Sequence, residues 1–444
     1  MKNIVVVGGG AGGLELATHL GNTLGRKKRA NVTLVDKNAT HLWKPLLHEV
    51  ATGVLEEGID ALSYRSHARN HHFSFVQGEI TGLNRTQKYV ELAPVYGKDG
   101  DMLVIARRVP YDYLVIAIGS KSNDFGTPGV AKHCIFLDNP TQALRFQNRM
   151  LELFLKFTEN HALDEIGEEE FKQQLVENDK VNIAIVGGGA TGVELSAELY
   201  HAVEYISHYG YGAIDDGHLQ VTLIEAGERL LPALPESLSE GVKIKLESLG
   251  VKVKTHTMIT EAYDKGLRTK DGQDIKADLM VWAAGVKTSE ITKQFDSLAT
   301  NHINQIEIKP TLQTTVDDSI FAIGDCAFLM QANGKPVPPR GQAANQMAVT
   351  CAKNITALLD NKPLKDFVFN DKGSLVSLSQ FTAFGSLLEK RKKGAIKIEG
   401  RLARLAYLSL YRAHQTALHG CFKTGLMLLV KGINRFIRPS LKLH

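Results

Sequence analysis

The 444-residue sequence predicts an α/β fold of two doubly wound, parallel-sheet domains, one inserted in the other, and three observations predict it. The chain carries two copies of one pattern: Ile4–Leu20 reads IVVVGGGAGGLELATHL and Ile183–Leu199 reads IAIVGGGATGVELSAEL. In each copy a short apolar strand meets three consecutive glycines and continues into a helical pattern. A second apolar strand follows each copy and ends in an acid, Val32–Asp36 (VTLVD) and Val221–Glu225 (VTLIE). Three further strands end in small residues and glycine: Tyr113–Ser120 (YLVIAIGS), Leu279–Lys287 (LMVWAAGVK) and Ile320–Ala327 (IFAIGDCA).

The composition bounds the alternatives. With 43% apolar and 23% charged residues the chain is neither disordered nor collagen-like. Its four cysteines, Cys134, Cys326, Cys351 and Cys421, show no CxxC and no zinc spacing, so no metal site and no disulfide framework is expected. Such cysteine usage fits a reducing compartment. The start, Met1-Lys2-Asn3, runs straight into a strand closed by glycines, which is not the pattern of a secretory signal. No stretch approaches the roughly 20 apolar residues that cross a bilayer.

In the first copy, Gly8 permits the tight turn, Gly10 lets a pyrophosphate approach the backbone, and Gly13 lets the helix pack on the strand. Gly9, Ala11 and Gly12 complete a loop whose free N–H groups and helix dipole face the phosphates. Asp36, 23 residues after Gly13, is placed to accept hydrogen bonds from a ribose. In the second copy Gly187, Gly188, Gly189 and Gly192 repeat the turn, and Glu225 repeats the acid after a longer connection, Tyr200–Asp216. A carboxylate at Glu225 repels a 2′-phosphate and so favours NADH over NADPH. These are therefore two Rossmann-like dinucleotide-binding domains. The expected division is 1–120 with 286–352 for the first, 121–285 for the inserted second, 353–399 for a C-terminal domain and 400–444 for a tail. Asn160–Lys180, acidic and polar, reads as a connection.

The tail differs in charge from the body. Ser386–His444 holds 13 Lys/Arg against 2 Glu, which leaves the rest of the chain net acidic. On a helical wheel over Leu418–Arg438, one arc collects Leu418, Phe422, Leu426, Leu429, Val430, Ile433, Phe436 and Ile437. Lys423, Lys431, Asn434, Arg435 and Arg438 lie opposite, with Met427 and Leu428 as exceptions. A basic amphipathic helix lies in a lipid interface. Residues 400–444 are accordingly expected on an anionic lipid surface, not on nucleic acid, whose phosphates have no use for a broad apolar stripe. A helix packed on the body or on a second copy is the competing explanation.

With these motifs in hand the sequence resembles the pyridine nucleotide–disulfide oxidoreductase superfamily, and within it the type II NADH:quinone oxidoreductases of enterobacterial type. His41–Gly53 (HLWKPLLHEVATG), Asn301–Thr315, Val337–Gln346 (VPPRGQAANQ) and the tail from Glu399 carry the resemblance, which covers essentially the whole chain. It implies one noncovalent FAD on the first turn, NADH on the second and a membrane quinone, ubiquinone or menaquinone, as acceptor. It implies a respiratory electron-transport enzyme that pumps no protons, peripheral on the cytoplasmic face of the bacterial inner membrane, and it leaves a homodimer open. The superfamily's redox cysteine pair is missing after Asp36, so electrons must pass from flavin to acceptor without a dithiol.

The resemblance also assigns roles. Gln342 and Gln346 line the quinone pocket, with Ala343 beside the flavin, although Gly341 stands where the family has alanine. A helix N-terminus with surface glutamines would read the same way. Glu194 matches a glutamate proposed to relay protons, but an acid in a first helical turn also suits the helix dipole, and Glu15 holds the equivalent place. Gly324-Asp325 holds ribitol and phosphate; a plain turn is the alternative. Lys44 is a candidate for the flavin or its phosphate, or a solvent-facing lysine. Lys37, Ile80, Gly119 and Gly285 complete the expected cofactor contacts, while Phe381 replaces a lysine that touches flavin in some members. A sulfide:quinone oxidoreductase, another FAD-dependent NADH reductase of the same fold such as a ferredoxin reductase, and a non-catalytic nucleotide sensor are the rival functions.

Overall fold

The computed structural model describes residues 1–55, 61–97, 99–166, 180–206, 217–379, 381–388 and 395–437. Two compact units divide the chain. The first comprises Met1–Trp43, Ala61–Lys121 and Val286–Asp371; the second comprises Lys44–Asp60, Ser122–Gly285 and Lys372–His444.

The first unit is built on a five-stranded sheet in the order Ile320–Ala322, Tyr113–Ile116, Lys2–Val7, Ala30–Asp36, Ser74–Gln77. All four pairings are parallel, with Val7 opposite both Val35 and Ile116. Strands covered on both faces read as continuous apolar runs, and Ile4–Val7 are accordingly buried throughout. The helix Ala11–Leu20 leaves the first strand through the glycine turn and packs against the helix Gly341–Leu359. Since chain order reverses on either side of Lys2–Val7, a crevice opens at the carboxyl end of that strand, where doubly wound sheets bind ligands.

The second unit repeats the plan. Its parallel sheet runs Ile135–Phe136, Leu279–Trp282, Val181–Val186, Leu219–Ile224, Lys252–Lys254, with the helix Ala190–Ile206 following the second glycine turn. Val186, Ile224 and Trp282 sit in its core, and the Trp282 indole N–H donates to the Asn123 carbonyl at 2.8 Å. The strands anticipated from Tyr113, Leu279 and Ile320 are all present and all join the two central sheets. The helix Pro140–Ile166 takes in Asn160–Ile166, which the sequence reading assigned to a connection; the remainder of that connection, 167–179, lies outside the described residues, as do 207–216 of the Tyr200–Asp216 segment.

The same unit ends in an antiparallel sheet, Gly373–Leu378, Thr382–Leu388 and Ala395–Glu399, against which the helix Gly400–Ile437 packs. Gly420 interrupts this helix with φ 78° and ψ 163°, a conformation reserved for glycine. The break corrects the wheel expected over Leu418–Arg438. Leu418 belongs to the helix before the break and is buried, whereas Phe422, after it, is 86% exposed. Leu426, Leu429 and Val430 are exposed with it, as are Met427 and Leu428, the two off-arc residues. Before the break Leu402, Leu405 and Leu408 are also exposed. The side chains of 431–437 lie outside the described residues. Among the described residues no helix is long and apolar enough to cross a membrane.

Candidate active site

The first glycine turn is shaped by backbone approach. Gly8 has φ +105°, and a Cβ there would lie 2.3 Å from the Ala117 carbonyl oxygen; a Cβ on Gly13 would lie 1.9 Å from the Gly8 oxygen. A Cβ on Gly10, by contrast, would meet nothing within 4 Å, so the turn is packed behind and open in front. The Gly9 N–H donates to the Asp36 carboxylate at 2.6 Å, while the Tyr64 hydroxyl donates to the Gly9 carbonyl at 2.7 Å and a His41 ring nitrogen lies 2.9 Å from it. Asp36 also accepts from the Asn38 N–H at 2.8 Å. Burial pushes the Asp36 carboxyl upward, against these two backbone donors. Lys37 points to Glu79 at 3.4 Å, and Ile80 is buried in the neighbouring antiparallel sheet.

The second turn copies the lock of acid on glycine, while the Gly188 carbonyl accepts from the Leu231 N–H where side chains meet that of Gly9. Gly187 has φ +116°, Gly189 faces open space, and the Glu225 carboxylate accepts from the Gly188 N–H at 2.7 Å and the Gly227 N–H at 2.6 Å. Gly192 abuts the Gly187 oxygen as Gly13 abuts that of Gly8. Gly285, at the end of Leu279–Trp282, has φ +60° and backs onto the Phe125 ring. A helix N-terminus leaves its first N–H groups without intrahelical partners, so both turns fit the phosphates of a dinucleotide. Each acid also retains lone pairs for ribose hydroxyls.

Several expected residues come together in the first unit. The Ser120 hydroxyl donates to Asp325 at 2.7 Å, next to Gly119 and Gly324, both at positive φ. Ala344, following Ala343, lies against Gly12 and Gly324. The two glutamines are already engaged. Gln342 donates its amide to Asp371 at 3.1 Å, and Gln346 exchanges hydrogen bonds with the Asn370 backbone, donating at 2.9 Å and accepting at 3.0 Å. Lys44 belongs to the second unit and pairs with Asp138 at 3.2 Å, a carboxylate that also accepts from Ser122.

Glu194 has the most unusual surroundings. It is buried at the fifth residue of Ala190–Ile206, past the first turn expected for it, accepting from the Ser377 N–H at 3.1 Å, with a His48 ring nitrogen 3.7 Å away and the Tyr407 hydroxyl bonded to it. Glu198, one turn on, is also buried and pairs with His201 at 2.9 Å. Burial pushes the Glu194 carboxyl up to about 8; the Ser377 and Tyr407 donors oppose this, and Glu49 and Glu198 add to it. Burial keeps His48 below its ordinary value, so the ring is neutral beside the acid. Glu15, the equivalent residue of the first copy, is instead hydrogen-bonded to the Asn345 amide. His48, Ser377 and Tyr407 went unrecognised as site residues in the sequence, although His48 lies in His41–Gly53, Tyr407 in the tail from Glu399 and Ser377 in the stretch that carries Phe381. Phe381 packs against His201, with the Lys245 ammonium 5.9 Å from its ring centroid.

Cys134, Cys326 and Cys351 are buried free thiols, and burial pushes the first two up to about 12, far from a thiolate at neutral pH. No dithiol chemistry is supported by them.

A family model described as pyridine nucleotide-disulphide oxidoreductase matches residues 2–348. The chain is 69% identical over 444 residues to a type II NADH:quinone oxidoreductase of Haemophilus influenzae, covering 100% of both chains. It is 30% identical over 396 residues to the Staphylococcus aureus enzyme of the same description, covering 88% of this chain and 90% of that one. Among solved structures it resembles NDH2 from Plasmodium falciparum in complex with NADH, at a TM-score of 0.80 and 21% identity, covering 99% of this chain and 100% of that one. The sulfide:quinone oxidoreductase of Aquifex aeolicus shares the fold at a TM-score of 0.72 and 16% identity, covering 95% and 92%. The chain belongs to the pyridine nucleotide-disulphide oxidoreductase family, and within it to the type II NADH:quinone oxidoreductases, flavoenzymes that carry electrons from NADH to a quinone.

Proposed function

We propose that the flavin is one noncovalent FAD, held by the first glycine turn, and that NADH occupies the second. The observation that carries this reading is the duplicated lock of acid on glycine: Asp36 on the Gly9 N–H and Glu225 on the Gly188 N–H, each beside an open Gly10 or Gly189. A flavin mononucleotide has only a ribitol chain and no adenosine ribose for Asp36 to hold, whereas FAD has one. Bound there, FAD supplies the two-electron chemistry that links hydride donor to quinone.

The chain's own residues then divide the remaining work. Gly119, Gly324 and Asp325 form the cradle for the ribitol and phosphate, Ala343 stands at the flavin ring, and Lys37 and Ile80 border the cofactor. Gly187, Gly188, Gly189, Gly192, Glu225 and Gly285 hold NADH, and the Glu225 charge disfavours a 2′-phosphate. Quinone reduction consumes one proton beyond the hydride of NADH. Glu194, pushed up to about 8, keeps that proton at neutral pH, and the acid is buried where bulk water does not compete. Gln342 and Gln346 offer neutral amide donors to a quinone carbonyl; Gln346 is held by Asn370, and Gln342 exchanges its Asp371 partner for the substrate.

The exposed apolar residues on both sides of Gly420, joined to a basic tail, support a peripheral seat on an anionic lipid surface at the cytoplasmic face, where long-chain quinone dissolves. Such an enzyme moves electrons without pumping protons. The test is anaerobic NADH titration of the purified protein followed by quinone, with the flavin then released by denaturation and identified. Bleaching by NADH, recovery with quinone and release of FAD are expected; release of FMN, or no flavin, overturns the assignment.

A further inference from the structure

The C-terminal helix faces two ways. Ala403, Tyr407, His414 and Leu418, spaced by about one or two turns, lie on its inner side, with Ala403, His414 and Leu418 buried. Leu402, Leu405 and Leu408 point outward and are exposed. The inner side packs on the strands Gly373–Leu378 and Thr382–Leu388, and this brings the Tyr407 hydroxyl to the Glu194 carboxyl from a segment 213 residues later in the chain.

We propose that Tyr407 is a positioning residue for quinone reduction: its hydroxyl closes the Glu194 pocket and sets how firmly that carboxyl holds its proton, so the helix that meets lipid also governs the acid. The proposal rests on Glu194 being the proton-holding group. A buried carboxyl needs donors when charged and an acceptor for its O–H when neutral. The Ser377 N–H donates to the carboxyl in either form but cannot accept the O–H of the neutral acid. A tyrosine hydroxyl donates to one form and accepts from the other, so it accompanies the acid through a full cycle of proton loss and gain.

The other groups around the carboxyl do not replace it. His48 approaches from the helix Leu47–Ala51 at 3.7 Å, too far for a hydrogen bond, and one of its ring nitrogens is already bonded at the Pro45 backbone. Glu49 on the same helix and Glu198 on the helix of Glu194 itself are like charges that favour the neutral acid, and Glu198 is occupied by His201. Glu15, in the first copy of the repeat, is met by the Asn345 amide. At Glu194 the hydroxyl is supplied by the C-terminal helix. Detachment of that helix would remove a polar partner and admit water to the acid, in addition to releasing the protein from lipid.

The test compares full-length, flavin-loaded wild type with Tyr407→Phe and Glu194→Gln, reading NADH-dependent reduction of a short-chain, water-soluble quinone from pH 6 to 10. Flotation with vesicles of anionic phospholipid and the flavin absorbance report that each variant is folded and its helix in place. In wild type the rate falls on an alkaline limb as Glu194 loses its proton. Tyr407→Phe keeps the ring but removes a donor to the charged form, so that limb moves to higher pH by about one unit. A limb that stays in place, or moves to lower pH, in Tyr407→Phe overturns the proposal. Glu194→Gln discriminates the two ideas. If it abolishes the limb while Tyr407→Phe leaves it unmoved, Glu194 holds the proton and Tyr407 does not position it. If Glu194→Gln keeps the limb, the assignment of Glu194 fails and the role of Tyr407 fails with it.

Discussion

At the scale of single residues, position in a repeat does not determine chemistry. Glu15 and Glu194 occupy the same place after their glycine turns, yet an amide meets the first, and a hydroxyl, a backbone N–H and two further acids surround the second. The consequence is measurable as stability. In the unfolded chain a glutamate loses its proton near 4.5, whereas Glu194 in the folded protein keeps it to about 8. Between these values the native state binds the extra proton, so this residue's contribution is complete below the lower value and is lost as pH rises through the upper one. The melting temperature of wild type therefore falls by a few degrees between pH 5 and 8 relative to that of Glu194→Gln, whose amide does not titrate. Parallel curves for the two proteins over this window would show that Glu194 is ionised when folded. None of this environment is legible in the sequence. The acid itself is visible, but Ser377 and Tyr407 come from segments more than 180 residues away, and nothing in local spacing announces their approach.

Elements tell a different story, because a strand–turn–helix unit is decided by neighbours in sequence. The inner strands of the two copies, with Ile320–Ala322, were readable from apolar runs and glycines, since a parallel strand buried on both faces must be apolar and a turn of this tightness admits no side chain, whereas the edge strands Ser74–Gln77, Ile135–Phe136 and Lys252–Lys254 were not. The glycines of one turn nevertheless do distinct work, and two substitutions separate it. In Gly192→Ala the new Cβ lies 2.0 Å from the Gly187 backbone oxygen, so helix and strand must part, and thermal stability falls by more than about 1 kcal/mol. In Gly189→Ala the Cβ meets no protein atom within 4 Å, so stability holds within about 0.5 kcal/mol. With NADH on the second turn as proposed, the methyl stands where its pyrophosphate approaches, and KM for NADH rises roughly tenfold or more. Equal effects of the two changes on stability, or an unchanged KM in Gly189→Ala, would contradict the division. The tail shows where the same style of reading fails. A wheel treats the helix as continuous, and Gly420 breaks it, so Leu418 turns inward although its period matched the outward arc.

For the whole molecule the decisive feature is the separation of charge along the chain. Ser386–His444 carries 13 basic and 2 acidic residues, while the remainder is net acidic even though the total is only +4. On the proposed seat, an anionic bilayer attracts one end of the sequence and repels the rest, which would orient the protein as well as bind it. Electrostatic attraction of about 1 kcal/mol per basic residue near the surface decays within a Debye length, whereas insertion of Phe422, Leu426 and Leu429 does not depend on salt. Flotation with vesicles separates the two contributions. Binding should strengthen steeply with the fraction of anionic lipid at 0.05 M salt and lose most of that dependence at 0.5 M. The replacement of Phe422 and Leu429 by serine should weaken binding at both salt concentrations, by about tenfold or more, because it removes the salt-independent part. Binding that ignores lipid charge at low salt would refute the electrostatic half of the argument, and a serine double variant that floats like wild type at high salt would refute the apolar half.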